Sequence, residues 1–180
     1  MKPLFRAKPA KSAEPALIEQ AFERYYPAIF RYLRFCGADA DTANDLAAAT
    51  FERALSSFAQ YDPARAQLQT WLFVIARRLA ANHWKTENRF EPLDDEFQEE
   101  TPGPEQEIML TQNREQILAA LQILDPRARE LIALKFGGPL NNRQVAELTG
   151  LTESNVGVIL YRSLLKLRAA LIEAQEVSHE

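Results

Sequence analysis

Four polar side chains in the middle of the chain have the types and the spacing that a nucleic-acid contact requires. Arg78, Asn82, Lys85 and Arg89 follow one another at intervals of four, three and four residues, so on a helix they share one face. Cationic groups in such a row can follow a phosphate backbone, and the asparagine amide can hydrogen-bond to a base edge. The solvated face of an ordinary surface helix has the same composition, so the row alone leaves both interpretations open.

Side chains for catalysis or metal binding are sparse by comparison. The chain has one cysteine, Cys36, and two histidines, His83 and His179, which are too few for an internal disulfide or a cysteine-rich zinc site. A hydrolase could use the three adjacent carboxylates at 94–96, but no histidine, glycine-rich phosphate loop or nucleophile elbow lies near them. We therefore expect no enzymatic activity, no cofactor and no metal.

The acidic residues are concentrated in one segment. The 180 residues have a net charge of −4, and an acidity spread evenly would argue against a nucleic-acid-binding protein. Residues 91–107, however, contain eight acidic side chains, no basic one and three of the ten prolines. Such a segment buries little apolar surface and repels itself, so we expect a flexible, solvated linker. The alternative is a segment that mimics nucleic acid or lies in a basic channel.

This linker divides the chain into two domains. We expect a flexible basic tail over 1–16, a first domain over 17–90, the linker over 91–107 and a second domain over 108–175. No apolar stretch approaches the roughly 18 residues that a membrane span needs, and no apolar core follows the basic N-terminus. We therefore expect a cytoplasmic protein without membrane insertion.

Apolar residues recur at helical spacing throughout the first domain. A helix over 15–37 is expected to be broken or kinked at Pro27. A second helix is capped by Asp39 or Asp41, and a third runs over about 68–89. The residues of the second helix that we expect to face inward are Leu46, Thr50, Phe51, Ala54, Leu55 and Phe58.

The second domain has the pattern of a helix-turn-helix. One helix ends near 124, another covers 125–138, a short one covers 141–150, and a long one runs to about 174. The expected caps are Asp125, Asn141 or Asn142, and Thr152 or Ser154. A short helix, a glycine-containing turn and a longer helix form the helix-turn-helix plan. Neither domain has a strand pattern, so we predict an all-α fold of two small helical domains joined by the acidic linker.

Both domains contain motifs in a recognisable order. The first contains Phe22–Leu33 (FERYYPAIFRYL), Asp45-Leu46, Thr50-Phe51, Tyr61-Asp62-Pro63 and Thr70–Arg77 (TWLFVIAR). The second contains Leu121–Arg129 (LQILDPRAR), Val145–Glu147, Gly150-Leu151, Val156 and Leu160–Leu167. Together these motifs resemble the extracytoplasmic-function group of the bacterial sigma-70 family.

The resemblance implies a transcription initiation factor without catalytic chemistry of its own. Its first domain would bind the clamp of core RNA polymerase and melt the minus-ten element of promoter DNA. Its second domain would bind the polymerase flap and contact the minus-thirty-five element through the helix-turn-helix. In this family the loop corresponding to 56–69 holds a flipped base, a task that requires stacking surfaces, hydrogen-bond partners and cations.

The resemblance implies three sets of contact residues. The minus-ten contacts would be Tyr61, Asp62, Arg65, Gln67, Arg77, Arg78, Asn82, Lys85 and Arg89. The minus-thirty-five contacts would be Arg143, Ser154, Asn155, Gly157, Val158, Tyr161, Arg162 and Lys166. The polymerase contacts would be Asp45, Leu46, Thr50, Phe51 and Arg53. Of the two tryptophans close to the minus-ten set, we expect Trp71 to lie in the core. Trp84 is the better candidate for a solvent-exposed position.

Two helices depart from the family pattern. Family members usually place a glutamine-glutamate pair before the Thr-Phe motif, where this chain has Ala48 and Ala49. Alanine makes no polar contact with the clamp, so polymerase affinity is low or depends on other contacts. In the last helix, positions that are usually basic or polar are Gly-Val-Ile at 157–159 and two leucines at 164–165. Bidentate guanine contacts are not available there.

The departures leave two interpretations of the second domain open. It reads DNA weakly, through methyl groups and a few phosphates, or its last helix, apolar nearly all round, is covered by a protein partner or by the first domain. The alternative function is a sigma-derived adaptor or regulator that is recruited by a protein partner. The resemblance also implies a possible anti-sigma factor as a partner.

Overall fold

The computed structural model describes residues 14–87 and 114–177, and the regular structure in both ranges is helical. The predicted linker, the tail up to residue 13 and Arg89 lie outside the described residues. The first domain consists of α1 (Glu14–Cys36), α2 (Ala40–Ser57), a 3₁₀ turn (Phe58–Gln60) and α3 (Leu68–Glu87). The second consists of α4 (114–121), α5 (Pro126–Ile132), a π-helical turn (Ala133–Gly137), α6 (Asn142–Thr149) and α7 (Glu153–Val177).

A glycine and a capping aspartate determine where α1 ends and where α2 begins. Gly37, with φ +107°, terminates α1 in a conformation that a side chain would strain. Asp39 is the cap of α2, where Oδ1 accepts a hydrogen bond from the Thr42 N–H at 2.6 Å. Of the break or kink predicted at Pro27, the break is wrong, because α1 continues through this residue. Proline has no N–H group, so the carbonyl of Glu23, four residues earlier, lacks its helical hydrogen bond. Glu23 and Pro27 are both exposed, and water can hydrogen-bond to this carbonyl instead.

The caps of the second domain resolve the alternatives left by the sequence. The Asp125 carboxylate accepts from the N–H three residues later at 3.0 Å, ahead of a proline at the first helical position. Asn141, not Asn142, caps α6 through a capping box with Gln144. Thr152 Oγ1 accepts from the N–H of Asn155 at 3.2 Å at the start of α7. Because each cap involves near neighbours, the sequence contains the information that positions it.

Small residues govern how α2 packs. The inward face includes Ala43, Ala47 and Ala54, all fully buried. Leu55, which we predicted to face inward, is 51% exposed. The alanines allow α2 to pack against both α1 and α3. The face of α2 that carries these small residues is therefore turned inward, and Leu55 lies outside it. Of the described helices, none has the length and the apolar content that a membrane crossing needs.

The two domains are packed against each other and share one hydrophobic core. Buried residues from α1, α2, α3, α5, α6 and α7 belong to a single cluster. The contact is made by α1 and α3 of the first domain with the π turn, α5 and α6 of the second; we call it the domain seam. At its centre Tyr32 and Phe73 lie beside Leu134, Gly137 and Gly138. The sequence predicted two separate domains but did not predict this packing.

Candidate nucleic-acid interface

The loop between α2 and α3 is built around Tyr61. Its side chain is only 7% exposed, and its ring centroid lies 5.1 Å from that of Trp71 and 5.5 Å from that of Phe58. The Tyr61 hydroxyl donates to the carbonyl of Ala66 at 3.3 Å. These ring contacts and this hydrogen bond support the loop from its buried side. Tyr61 therefore shapes the loop and does not present an open stacking surface.

The outward side of this loop is polar. Asp62 Oδ1 accepts from the N–H of Ala64 at 2.9 Å, which forms a tight turn. The Arg65 side chain is 87% exposed and makes a loose ion pair with Asp62 at 3.5 Å. Gln67 is also exposed. A cation and an amide therefore remain accessible here for a phosphate and a base edge.

The predicted polar row on α3 is present where the structure describes it. Arg78, Asn82 and Lys85 are all exposed on α3. Trp84 is half-buried and lines a cavity of about 560 Å³ at the domain seam. Its indole is therefore partly shielded by the second domain, which argues against a freely accessible stacking role in this conformation.

Arg77 differs from its neighbours on α3 because it is engaged at the domain seam. Its Nε donates to Oε1 of Glu130 at 2.8 Å, and its Nη1 donates to the carbonyl of Leu148. Burial alone would lower the pKa of the Arg77 guanidinium, but the hydrogen bond and ion pair with Glu130 raise it above its usual value. The predicted minus-ten contact is thus paired with the second domain.

A polar groove of about 380 Å³ runs between the α2–α3 loop and α6. Gln144 Nε2 donates across it to Gln67 Oε1 at 3.3 Å and to Thr70 Oγ1 at 3.4 Å. Arg65 and Arg143 line the same groove. Residues predicted for two different promoter elements are therefore brought side by side. Sequence patterns did not identify Gln144 or Glu130, since neither stands in a periodic or motif position that signals a contact.

One face of α7 is both the predicted DNA-contacting face and apolar. Ser154, Val158, Tyr161, Leu165 and Ile172 share it by helical spacing. Val158 is 45% exposed, Tyr161 66% and Leu165 51%. The interpretation in which the first domain covers this surface is therefore wrong. The predicted contacts that flank this face are Asn155, Arg162 and Lys166, all exposed, and Gly157, which is half-buried.

The predicted polymerase-contacting set on α2 divides into interior and surface residues. Thr50 is fully buried and donates from Oγ1 to the carbonyl of Leu46 at 2.7 Å. Phe51 is buried, with its ring centroid 4.9 Å from that of Phe22. The Phe51 ring packs α2 against α1, and the Thr50 hydroxyl bonds within α2, so both side chains are turned into the protein interior. Asp45 and Arg53 are exposed and Leu46 is half-buried, so a partner would meet those three.

Two titratable side chains at the seam, the Cys36 thiol and the Tyr32 phenol, are held neutral. Burial raises the pKa of the Cys36 thiol to about 12 and that of the Tyr32 phenol well above its usual range. In the described ranges no group of three or more His, Cys, Asp or Glu residues is placed to hold a metal ion. The charges available for binding are those of the arginines and lysines on the surface, and they suit a phosphate backbone.

Comparison with family models gives two matches, one on each domain. The model for sigma-70 region 2 matches residues 21–90, and a model for sigma-70 region 4 matches residues 114–167. The sequence is 26% identical over 166 residues to the ECF RNA polymerase sigma factor BldN of Streptomyces coelicolor, covering 90% of this chain and 63% of BldN. It is also 26% identical to the RNA polymerase sigma factor YlaC of Bacillus subtilis, covering 88% of this chain and 94% of YlaC.

Solved structures share the fold. CnrH in complex with the cytosolic domain of CnrY superposes with a TM-score of 0.65 at 21% identity, over 91% of this chain and 92% of that one. The sigma factor RpoE in complex with the anti-sigma factor NepR, from Bartonella quintana, gives a TM-score of 0.65 at 18% identity, over 85% and 95%. At these identities the likeness establishes the helical architecture.

Proposed function

The chain belongs to the sigma-70 family, in its extracytoplasmic-function group, and from this membership we propose that it binds core RNA polymerase and directs it to promoters as an initiation factor. The observation that supports this function most strongly is the pair of matches in sequence order, with region 2 on the first helical domain and region 4 on the second. Transcription initiation by these proteins requires DNA and polymerase contacts and no catalytic residue of their own.

We propose that the first domain contacts and opens the minus-ten element. The exposed row on α3 provides two cations and an amide, and the adjoining loop provides Arg65 and Gln67. Holding a base outside the duplex requires hydrogen-bond partners for the base and cations for the backbone. These exposed side chains supply both, whereas Tyr61 supports the loop from inside.

We propose that the second domain contacts the minus-thirty-five element through α6 and α7. Arg162 and Lys166 are exposed for phosphates, and Ser154 and Asn155 stand at the N-terminal end of α7, where recognition helices meet base edges. The Val158 methyl groups can contact a thymine methyl group but cannot distinguish guanine. We therefore expect DNA binding by this domain to be weak and to depend steeply on salt.

We propose that polymerase meets the exposed side of α2 and that an anti-sigma protein regulates the chain. Asp45 and Arg53 offer charged contacts on α2, beside the alanines at 48–49. The apolar face of α7 gives a regulator a surface of the kind that protein partners cover. The solved sigma factor RpoE of Bartonella quintana is bound to an anti-sigma factor. The relatives named above are sigma factors, and nothing observed favours the adaptor alternative.

Run-off transcription with purified core polymerase and a promoter library tests the proposed function. We expect a discrete product whose start site defines a promoter motif. A variant with Arg78, Asn82 and Lys85 changed to alanine should bind polymerase normally but lose about tenfold or more in open-complex formation. Arg24→Ala, which removes an exposed cation from α1, is the matched control and should initiate normally. Failure of the wild-type chain to associate with core polymerase would refute the function.

A further inference from the structure

The cavity of about 560 Å³ at the domain seam, which we call the seam cavity, is lined by both domains. The first domain contributes Tyr32, Ala81 and Trp84 to its wall, and the second contributes Gln122 and Arg127. Sites for small molecules in proteins have volumes of roughly 300 to 1,000 Å³ and occur preferentially where two domains meet. The seam cavity therefore has the size and the location of a small-molecule site.

The lining of the seam cavity carries an excess of positive charge. Its charged residues are three arginines and one glutamate, namely Arg77, Arg127, Arg129 and Glu130. Cys36 and Tyr32 also line the cavity, but burial raises the pKa of both, so they are uncharged at neutral pH. The described lining residues thus leave two positive charges in excess. Inside a partly enclosed cavity these charges are screened less than on an open surface, and they favour an anionic ligand.

Arg129 is held in place by neutral groups. Its Nε donates to the carbonyl of Leu121 at 3.1 Å, and its Nη2 donates to the carbonyls of Gln122 at 3.1 Å and Leu124 at 3.0 Å. The charge of Arg77 is balanced by an ion pair, whereas these carbonyl partners of Arg129 carry no net charge. A cation that is already fixed can bind an anion with little further loss of side-chain entropy.

Trp84 and Arg127 add an aromatic surface and a second cation to the cavity. Trp84 is half-buried, so its indole combines a large apolar surface with access to the cavity. Such a surface favours a flat aromatic ligand through ring contact and dispersion. Arg127 is exposed and lines the same cavity. The planar guanidinium group matches the two oxygens of a carboxylate better than a point charge does.

We propose that the seam cavity binds a small aromatic carboxylate, with its ring against Trp84 and its carboxylate beside Arg127 and Arg129. This inference goes beyond the proposed function, because neither DNA nor polymerase binding requires such a ligand. Both domains line the cavity, so a bound ligand contacts both at once. It therefore stabilises the folded chain in the arrangement that the structure shows, and thermal stability should rise with ligand concentration.

Titration with 2-naphthoate, followed through the two indole N–H signals in proton–nitrogen correlation spectra, tests the proposal. The chain has two tryptophans, and Trp84→Phe identifies which signal belongs to Trp84. We expect 2-naphthoate to shift the Trp84 signal saturably and to leave that of Trp71, in the core of the first domain, unchanged. The uncharged isostere 2-naphthamide should bind about tenfold more weakly, because it cannot form charge-assisted hydrogen bonds with the arginines.

Two substitutions, each with a matched control, locate the binding. Arg127→Gln should weaken 2-naphthoate binding by about tenfold, whereas Arg53→Gln removes an exposed arginine from α2, outside the cavity, and should not weaken it. Ala81→Leu should fill part of the cavity and weaken binding by about tenfold, whereas Ala119→Leu makes the same change at an exposed position of α4. Thermal unfolding without ligand checks that each variant is folded.

The possible outcomes either support or overturn the proposal. It is supported if 2-naphthoate raises the melting temperature of the wild type and of both controls, and raises that of Ala81→Leu and Arg127→Gln less. A Trp84 signal that stays in place at millimolar 2-naphthoate would overturn it. Equal binding of the acid and the amide, or binding that both cavity variants retain in full, would also overturn it, because the probe would then be held at another apolar surface.

Discussion

Arg77 on α3 and Glu130 on α5 form an ion pair with a hydrogen bond of 2.8 Å that joins the two domains across 53 residues of sequence. Their side chains are 26% and 29% exposed. Surface ion pairs contribute little because water and salt screen them, whereas a shielded charge that loses its partner is costly. The Arg77–Glu130 pair is intermediate between an exposed and a fully shielded ion pair, and its contribution to stability can be measured.

A double-mutant cycle isolates that contribution. Arg77→Met and Glu130→Gln, singly and together, should give a coupling free energy of about 1 kcal/mol in urea unfolding. The coupling should be favourable because both charges are partly desolvated. Arg143 and Glu147, an exposed pair at 3.1 Å on α6, serve as the control, and their coupling should not exceed about 0.5 kcal/mol. Equal coupling in the two pairs would show that the seam does not shield its charges.

Gly138→Ala should destabilise the protein by about 1 to 3 kcal/mol. The new methyl group would lie 2.7 Å from the buried Phe73 ring and 2.9 Å from the carbonyl oxygen of Leu134, and neither can move freely. Thermal or urea unfolding measures the loss. A variant as stable as the wild type would mean that the domains do not meet closely at this point in solution.

Gly157→Ala, unlike Gly138→Ala, should stabilise the protein. Gly157 lies within α7, and the nearest atom to an added Cβ is Nδ2 of Asn142 at 4.0 Å. Alanine restricts the unfolded chain and favours the helix, so the free energy of unfolding should rise by about 1 kcal/mol. The melting temperature should increase accordingly. A decrease would indicate that α7 approaches α6 more closely than the structure shows.

Asn141→Ala should cost about 1 kcal/mol because it removes the capping box at the start of α6. Asn141→Ser keeps a side-chain acceptor and should retain most of the stability. Asn142→Ala is the matched control, because the Asn142 Oδ1 makes no hydrogen bond in the structure. If the Asn142 variant were the less stable of the two in urea unfolding, the cap would be assigned to the wrong residue.

Cys36 should react slowly with alkylating reagents in the folded protein. Burial raises its pKa from 9.0 to about 12, so at pH 8 its thiolate fraction is about a thousandfold smaller than that of an ordinary thiol. Because the folded state holds this proton more tightly, the associated stability is present below about pH 9 and is lost as the pH rises towards 12. Labelling at pH 8 in buffer and in urea measures the difference, and equal rates would contradict the raised pKa.

Local interactions made the helix boundaries predictable. Asp39, Asp125 and Asn141 cap their helices through N–H groups three residues away, and Gly37 and Gly150 end helices in left-handed backbone conformations. All these interactions join residues within a few positions of one another, so the order of amino acids alone determines them. The motifs of the sigma-70 family are likewise contiguous, which is why the family was recognisable before the fold was known.

The tertiary structure decided which side chains are available to a partner. Periodicity showed that Thr50, Phe51 and Leu55 belong near one side of α2, but packing against α1 buried the first two and left Leu55 exposed. The ion pair between Arg77 and Glu130 depends on the meeting of two domains that no local pattern connects. A helical repeat specifies which residues share a face, whereas the neighbour that covers the face is set by the packing of the whole chain.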